Sequence, residues 1–202
     1  DGHDPAKLTE ALGARFRGDE LSFKPYACGR PQHAILDAAI TARDRLGIGA
    51  TVDHAAIAHV SVGTRAAAVT EQFVGVPHKR RPTQIVEAQF ALPYLIAAAL
   101  VHGRVGISEV GDIHHPAVLD LAARMEATDA TAADSVTVRL HDGRATTVTV
   151  GPPLGSPANR LDVAQLEAKF ADCARNAVRP LSDAVVRRAA RSILGLADVP
   201  DV

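Results

Sequence analysis

Apolar and polar residues alternate through 134–150 on either side of His141-Asp142-Gly143. An Asp-Gly pair inside a β-branched, alternating stretch is the signature of a tight hairpin. Only one other segment alternates in this way, Ala58-His59-Val60-Ser61-Val62-Gly63. The remaining periodic segments have helical spacing. Pro31 opens a helix that carries Ala34, Ile35, Ala38, Ala39, Ala42 and Leu46 and stops at Gly47, an apolar helix spans 83–102 with a proline at 93, and a shorter one runs from Pro116 to Met125. Asp4-Pro5 starts a short helix over 5–12, and Leu21-Ser22-Phe23 reads as a short strand. With so few strands a doubly wound sheet is excluded. The expected class is α+β: a two-layer unit in which a small antiparallel or mixed sheet packs on helices.

The character changes at Gly151-Pro152-Pro153-Leu154-Gly155-Ser156-Pro157, which breaks regular structure and leads to helices at 162–176 and 182–194, with Asp162 and Ser182 as N-caps. The last helix has Ala184, Val185, Ala189, Ser192 and Ile193 on one stripe, so it needs a partner surface. The expected division is a connecting helix at 1–16, an α+β unit at 17–151, and a linker with C-terminal helices at 152–202. The opening Asp1-Gly2-His3-Asp4-Pro5 reads as the interior of a longer chain.

Composition narrows the function. In 202 residues, 22 Lys and Arg face 23 Asp and Glu, so no overall basic field exists to hold nucleic acid. The longest apolar region, Ala88 to Val101, is interrupted by Gln89, Pro93 and Tyr94, too short and too broken for a membrane span. Cys28 and Cys173 are isolated thiols, which fits a reducing compartment, and a cytoplasmic protein is expected. Dinucleotide, nucleoside triphosphate and serine-hydrolase motifs are missing, and the adjacent pair His114-His115, expected to face solvent, does not have metal-ligand spacing. Neither a metal nor another cofactor is expected. Lys79-Arg80-Arg81 reads as a solvated turn.

What remains is Lys24-Pro25-Tyr26-Ala27-Cys28-Gly29-Arg30-Pro31-Gln32-His33, with an ammonium, a phenol, a guanidinium and an imidazole on a proline-stiffened turn before a helix. Lysine supplies a point charge, arginine a planar fork, and the helix start a favourable field, which together suit a carboxylate. On composition alone such a turn is more often a solvated connection than a site. Cys28 reads as a small packing residue, and Tyr94 as an anchor for its helix.

Lys24-Pro25-Tyr26-x-Cys28-x-Arg30-x-x-His33, followed by Glu87-Ala88-Gln89-Phe90-Ala91-Leu92-Pro93-Tyr94 leading into Ala97-Ala98-Ala99-Leu100 and Gly103, resembles the MmgE/PrpD family. The Asp142-Gly143 hairpin, Gly155-Ser156-Pro157 and Leu166-Glu167-Ala168-Lys169-Phe170 continue the resemblance in order. That family includes 2-methylcitrate dehydratase, cis-aconitate decarboxylase and iminodisuccinate epimerase, which act on small polycarboxylates without a metal. The resemblance implies an α+β lid domain whose C-terminal helices return to an all-helical domain. That domain, in the same chain or a partner subunit, would complete the active site and form a homodimer. It implies a dehydratase-type lyase, with an epimerase or a non-catalytic binding domain or split subunit as alternatives, and a chain that is inactive by itself. Lys24 and Tyr94 match catalytic positions, and Arg30 and His33 match substrate-binding ones. Gly29 stands where the decarboxylase branch has histidine, which turns the expectation away from that reaction. Ala27, Ala91 and Arg160 also depart from common residues of the family.

Overall fold

The computed structural model describes residues 4–15, 17–74, 76–130 and 132–198. In chain order these residues form α1 (Ala6–Thr9), α2 (His33–Leu46), β1 (Ile57–Thr64), α3 (Ala67–Thr70), α4 (Ile85–Ala88), α5 (Leu92–His102), α6 (Ile107–Gly111) and α7 (Pro116–Ala123). There follow β2 (Met125–Asp129), β3 (Ser135–Leu140), β4 (Ala145–Thr149), α8 (Val163–Arg175) and α9 (Asp183–Leu194). The sheet is mixed, in the order β2-β1-β3-β4, with β1 parallel to β2 and antiparallel to β3.

Register explains the two layers. Val60 pairs with Val138 and Val62 with Val136, and all four point inward and are buried, whereas Ser61 and Thr137 pair on the opposite face. That outer face is polar: the Thr137 and Thr147 hydroxyls meet at 2.8 Å, and His59 approaches Glu126 at 3.4 Å. Helix α2 packs against β3 and β4, then α5 against α2, and α7 against α5. Gly143, at φ 90°, supplies the left-handed residue that the expected hairpin turn requires. The α+β class and the C-terminal helical extension are both as expected.

Several local expectations need correction. The apolar helix at 83–102 is two helices, because Pro93 lacks an N–H and cannot sit inside a helix; it occupies the first turn of α5 instead. Leu21–Phe23 is not a strand, since its neighbour is the proline-rich 151–157 loop and one bond, Phe23 N–H to the Gly155 carbonyl at 2.8 Å, replaces a ladder. The helix at 116 ends at Ala123, and Met125 begins β2, whose five residues hold too little apolar alternation to be read beforehand. The helix at 5–12 contracts to α1, because Leu8 and Leu12 find no surface to pack against among the described residues and remain exposed.

Two surface expectations fail as well. Arg80 is no solvated turn residue: it donates to the Ala122 carbonyl at 2.8 Å and to Phe73 at 3.0 Å, closing the carbonyl end of α7. His114 is exposed, but His115 packs edge-on against His102 with ring centroids 4.8 Å apart.

Gly155 joins the linker to the front of the α+β unit. Its φ is +80°, and a Cβ there would lie 2.1 Å from the Phe23 carbonyl oxygen. Gly155→Ala is therefore expected to destabilise the chain by about 2 kcal/mol, through backbone strain and that clash. Urea unfolding with an unchanged slope and a lowered midpoint would show it.

Candidate functional site

The 24–33 segment is fixed in place from three sides. The Ala27 N–H donates to the Val105 carbonyl at 3.0 Å and the Gly29 N–H to Gln89 at 3.0 Å, so the segment lies between the two ends of α5. From α2, Asp37 accepts the Tyr26 hydroxyl on one carboxylate oxygen and the Leu154 N–H on the other, at 2.7 Å. One carboxylate thus ties the loop, the helix and the linker together. Burial comes first, and Asp37 second, in pushing the Tyr26 phenol far above its ordinary range, so Tyr26 stays a neutral donor.

This arrangement forms one wall of a cleft of about 790 Å³, and α8 forms the other. Helix α8 begins with a capping box, in which Asp162 and Gln165 exchange bonds at 2.7 and 2.9 Å. It meets α6 through the Ile107 N–H donated to Asp172 at 3.1 Å and the Ser108 hydroxyl donated to Asn176 at 3.2 Å. The charged residues lining the cleft are Lys24, Arg104, Lys169 and Arg175 against a single carboxylate, Asp172. Such an excess of cations inside a concavity favours an anion.

The four residues expected at the site occupy different places. Lys24 lines the cleft, and its side chain makes no hydrogen bond or ion pair among the described residues. Arg30 and His33 lie outside the lining but close by, since the charges of Arg30, Lys24 and Lys169 all act on His33. His33 is completely buried beneath the loop, edge-on to Tyr26 at 5.2 Å, and neither ring nitrogen makes a hydrogen bond of good geometry among the described residues, although the backbone of Cys28 lies close enough to act on the imidazole. Tyr94 is also completely buried, and its hydroxyl is directed at the backbone carbonyls of Glu109 and Asp112, each 3.1 Å away. Cys28 lines the cleft as a neutral thiol, pushed up to about 12 by burial in spite of the nearby Lys24 charge.

Sequence reading missed Asp37, Arg104, Lys169 and Arg175. The last two stand on an amphipathic helix whose charged face looks like any solvated face. Asp37 sits at a polar position of α2 with no motif around it, and Arg104 follows a helix-ending glycine as an ordinary loop residue. Among the described residues no group of three or more His, Cys, Asp or Glu side chains comes together as metal ligands would. No helix among them is long and apolar enough to cross a membrane.

Residues 26–193 match the MmgE/PrpD C-terminal domain. The chain belongs to the MmgE/PrpD family. The match takes in the whole sheet, α8 and all but the last residue of α9, and begins two residues after Lys24. No curated protein matches the chain.

Burial of His33 pushes its imidazole down to about 4; the backbone of Cys28 opposes this, and the charges of Arg30, Lys24 and Lys169 reinforce it. Its folded value therefore lies below the ordinary 6.5, so the unfolded chain binds the extra proton as the pH falls through that interval. Stability is complete above about pH 6.5 and declines toward pH 4, by on the order of 3 kcal/mol from this group. His102, pushed down by burial and then by His115, adds to the loss in the same direction. His33→Phe is expected to flatten most of the acid limb in a series of Tm values from pH 7 to 4.5. An unchanged slope would mean that the loss arises elsewhere.

Proposed function

We propose that this chain is the lid portion of a MmgE/PrpD-family lyase that dehydrates small hydroxy-polycarboxylates of the 2-methylcitrate type. The observation that carries the reading is the cleft, with four cations to one carboxylate along its lining, formed inside a domain of this family. Membership alone does not select the reaction, and the charge of the cleft supports the substrate class.

In a dehydration, a base removes the proton on the carbon beside a carboxylate, the electron pair becomes a C=C bond, and the neighbouring hydroxyl leaves as water after accepting a proton. Negative charge accumulates on the flanking carboxylate as the C–H bond breaks. Lys24, which lines the cleft without a hydrogen bond or ion pair among the described residues, is placed to stabilise that charge as a fixed cation. Charge stabilisation in this scheme comes from side-chain cations and calls on no metal. Arg30 and His33 serve the substrate from behind the loop, Arg30 through its field and His33 as a neutral packing group under the floor. Tyr94 acts through position: with its one O–H turned to the carbonyls of α6, it holds the edge of the cleft.

The base and the acid are assigned to a helical domain, in the same protein or in a partner subunit. Residues of α8 and α9 support this. Only Ala174, Val186 and Ala190 are buried along the two helices, while the large apolar side chains of Val163, Leu166, Val185, Ile193 and Leu194 remain exposed. The stripe read from Val185 and Ile193 is exposed in this chain, as a docking face for the helical domain would be.

The test is turnover of 2-methylcitrate in deuterated water, by the chain alone and by the chain completed with a helical domain of the family. The expected result is no measurable turnover by the chain alone and formation of an alkene by the completed protein. Lys24→Ala should lower kcat/KM by roughly 10²–10³-fold, the usual cost of removing a group that stabilises developing charge. Robust turnover by the chain alone, or an unchanged rate in the Lys24 variant, would overturn the assignment. Exchange of the α-proton without alkene would instead identify an epimerase. Binding without either change in the completed protein would identify a non-catalytic domain.

A further inference from the structure

Resting on the polycarboxylate reading, the cleft raises the question of how many carboxylates it grips, and the answer lies at the C-terminal end of α5. Arg104 follows Gly103 there, and it is the one cation of the cleft lining whose head group is held by a protein carboxylate among the described residues. Its Nε donates to Glu109 Oε1 at 2.8 Å, and its Nη2 approaches the same oxygen at 2.6 Å. Glu109 is 7% exposed, whereas the Arg104 side chain is 64% exposed. The other Glu109 oxygen takes the Gly106 N–H at 3.0 Å, and the Glu109 carbonyl accepts from the buried Tyr94 hydroxyl. The guanidinium is therefore fastened along its Nε–Nη2 edge to a carboxylate that is itself fixed to the core. Nη1 has no partner among the described residues, and Nη2 spends one of its two N–H groups on Glu109, so the Nη1–Nη2 edge retains the two donors that a bidentate fork to a second carboxylate uses. Lys169 and Arg175 also line the cleft, but their head groups make no bond to α6 or to the 24–33 segment. The Ala27–Val105 backbone bond brings the segment bearing Arg104 alongside the loop bearing Lys24.

We propose that Arg104, oriented by Glu109, is a second carboxylate-binding group of the cleft, so that the substrate is held at two carboxylates, one by Lys24 and one by Arg104. Glu109 is a positioning residue in this assignment and does not touch the substrate. The Arg104–Glu109 pair is a weak source of stability, because its arginine is largely exposed at the cleft lining and partly exposed pairs contribute little.

Binding to the full 202-residue chain at low ionic strength provides the test, with tricarballylate as a tricarboxylate probe and butyrate as a monocarboxylate, both followed by NMR titration. Tricarballylate should bind more tightly than butyrate. Arg104→Gln should weaken tricarballylate by roughly tenfold or more while leaving butyrate within about twofold, as expected for loss of one charge-assisted fork. Arg104→Lys should recover only part of the loss, because a point charge does not reproduce the fork. If Arg104→Gln unfolds the chain by leaving Glu109 unpaired, the double variant Arg104→Gln/Glu109→Gln removes that cost and should show the same selective loss. Glu109→Gln alone should weaken tricarballylate in the same direction, and butyrate should be unaffected. A normal tricarballylate affinity in the Arg104 variants, with a weakened one in Lys24→Ala, would overturn this inference and leave the polycarboxylate reading in place. Failure of the wild-type chain to prefer tricarballylate, or indifference to Lys24→Ala, would overturn both.

Discussion

Helix α5 is enclosed on every side from Leu92 through Leu100, and a helix with no solvent face must be surrounded before it can exist. Helices α2 and α7 pack against it directly, and the sheet completes the layer behind α2. Its two ends are consequently the best-fixed points near the surface. Both ends deliver to the cleft: Gln89 and Phe90 come just before the helix, and Gly103 to Val105 just after it. The loop with Lys24 is bonded to both segments through Gly29 and Ala27. A buried and mostly apolar helix thus sets the position of a polar site it does not itself line.

The polar groups around this core follow one economy. Tyr94 spends its hydroxyl on the carbonyls of α6, Arg80 closes the end of α7, and Asp37 uses both oxygens to hold the loop and the linker. Each satisfies backbone groups that would otherwise be buried without partners. Some buried atoms stand outside it, among them Arg30 Nη1, Gln32 Oε1 and both ring nitrogens of His33, whose imidazole tolerates this by remaining neutral.

Much of this fold was legible beforehand because its signals are local. The Asp142-Gly143 hairpin, the Asp162 cap and the Gly47 stop are each decided within a few residues. What could not be read depends on distant partners: β2 exists because it pairs in parallel with β1, and the break before α5 follows from where Pro93 must stand. At the site the same division holds. Lys24 was visible in a motif, whereas Arg104 acquires its significance from Glu109 and from the cleft that the fold builds around it. Tyr94 was visible too, but its sequence context does not show which way its hydroxyl points. The core decides that.

The shared carboxylate of Asp37 also has a mechanical consequence. Tyr26 and Leu154 hang on the same group, and Ala27 is bonded to Val105, so the loop, the linker and the end of α5 are tied into one wall. Across the cleft, α8 buries only Ala174 and is held to α6 by two side-chain bonds at exposed positions. The aperture is therefore set almost entirely by how α8 is seated. Whatever docks on the apolar faces of α8 and α9 would act as a handle on α8, and narrowing the cleft and docking the partner would become a single mechanical event.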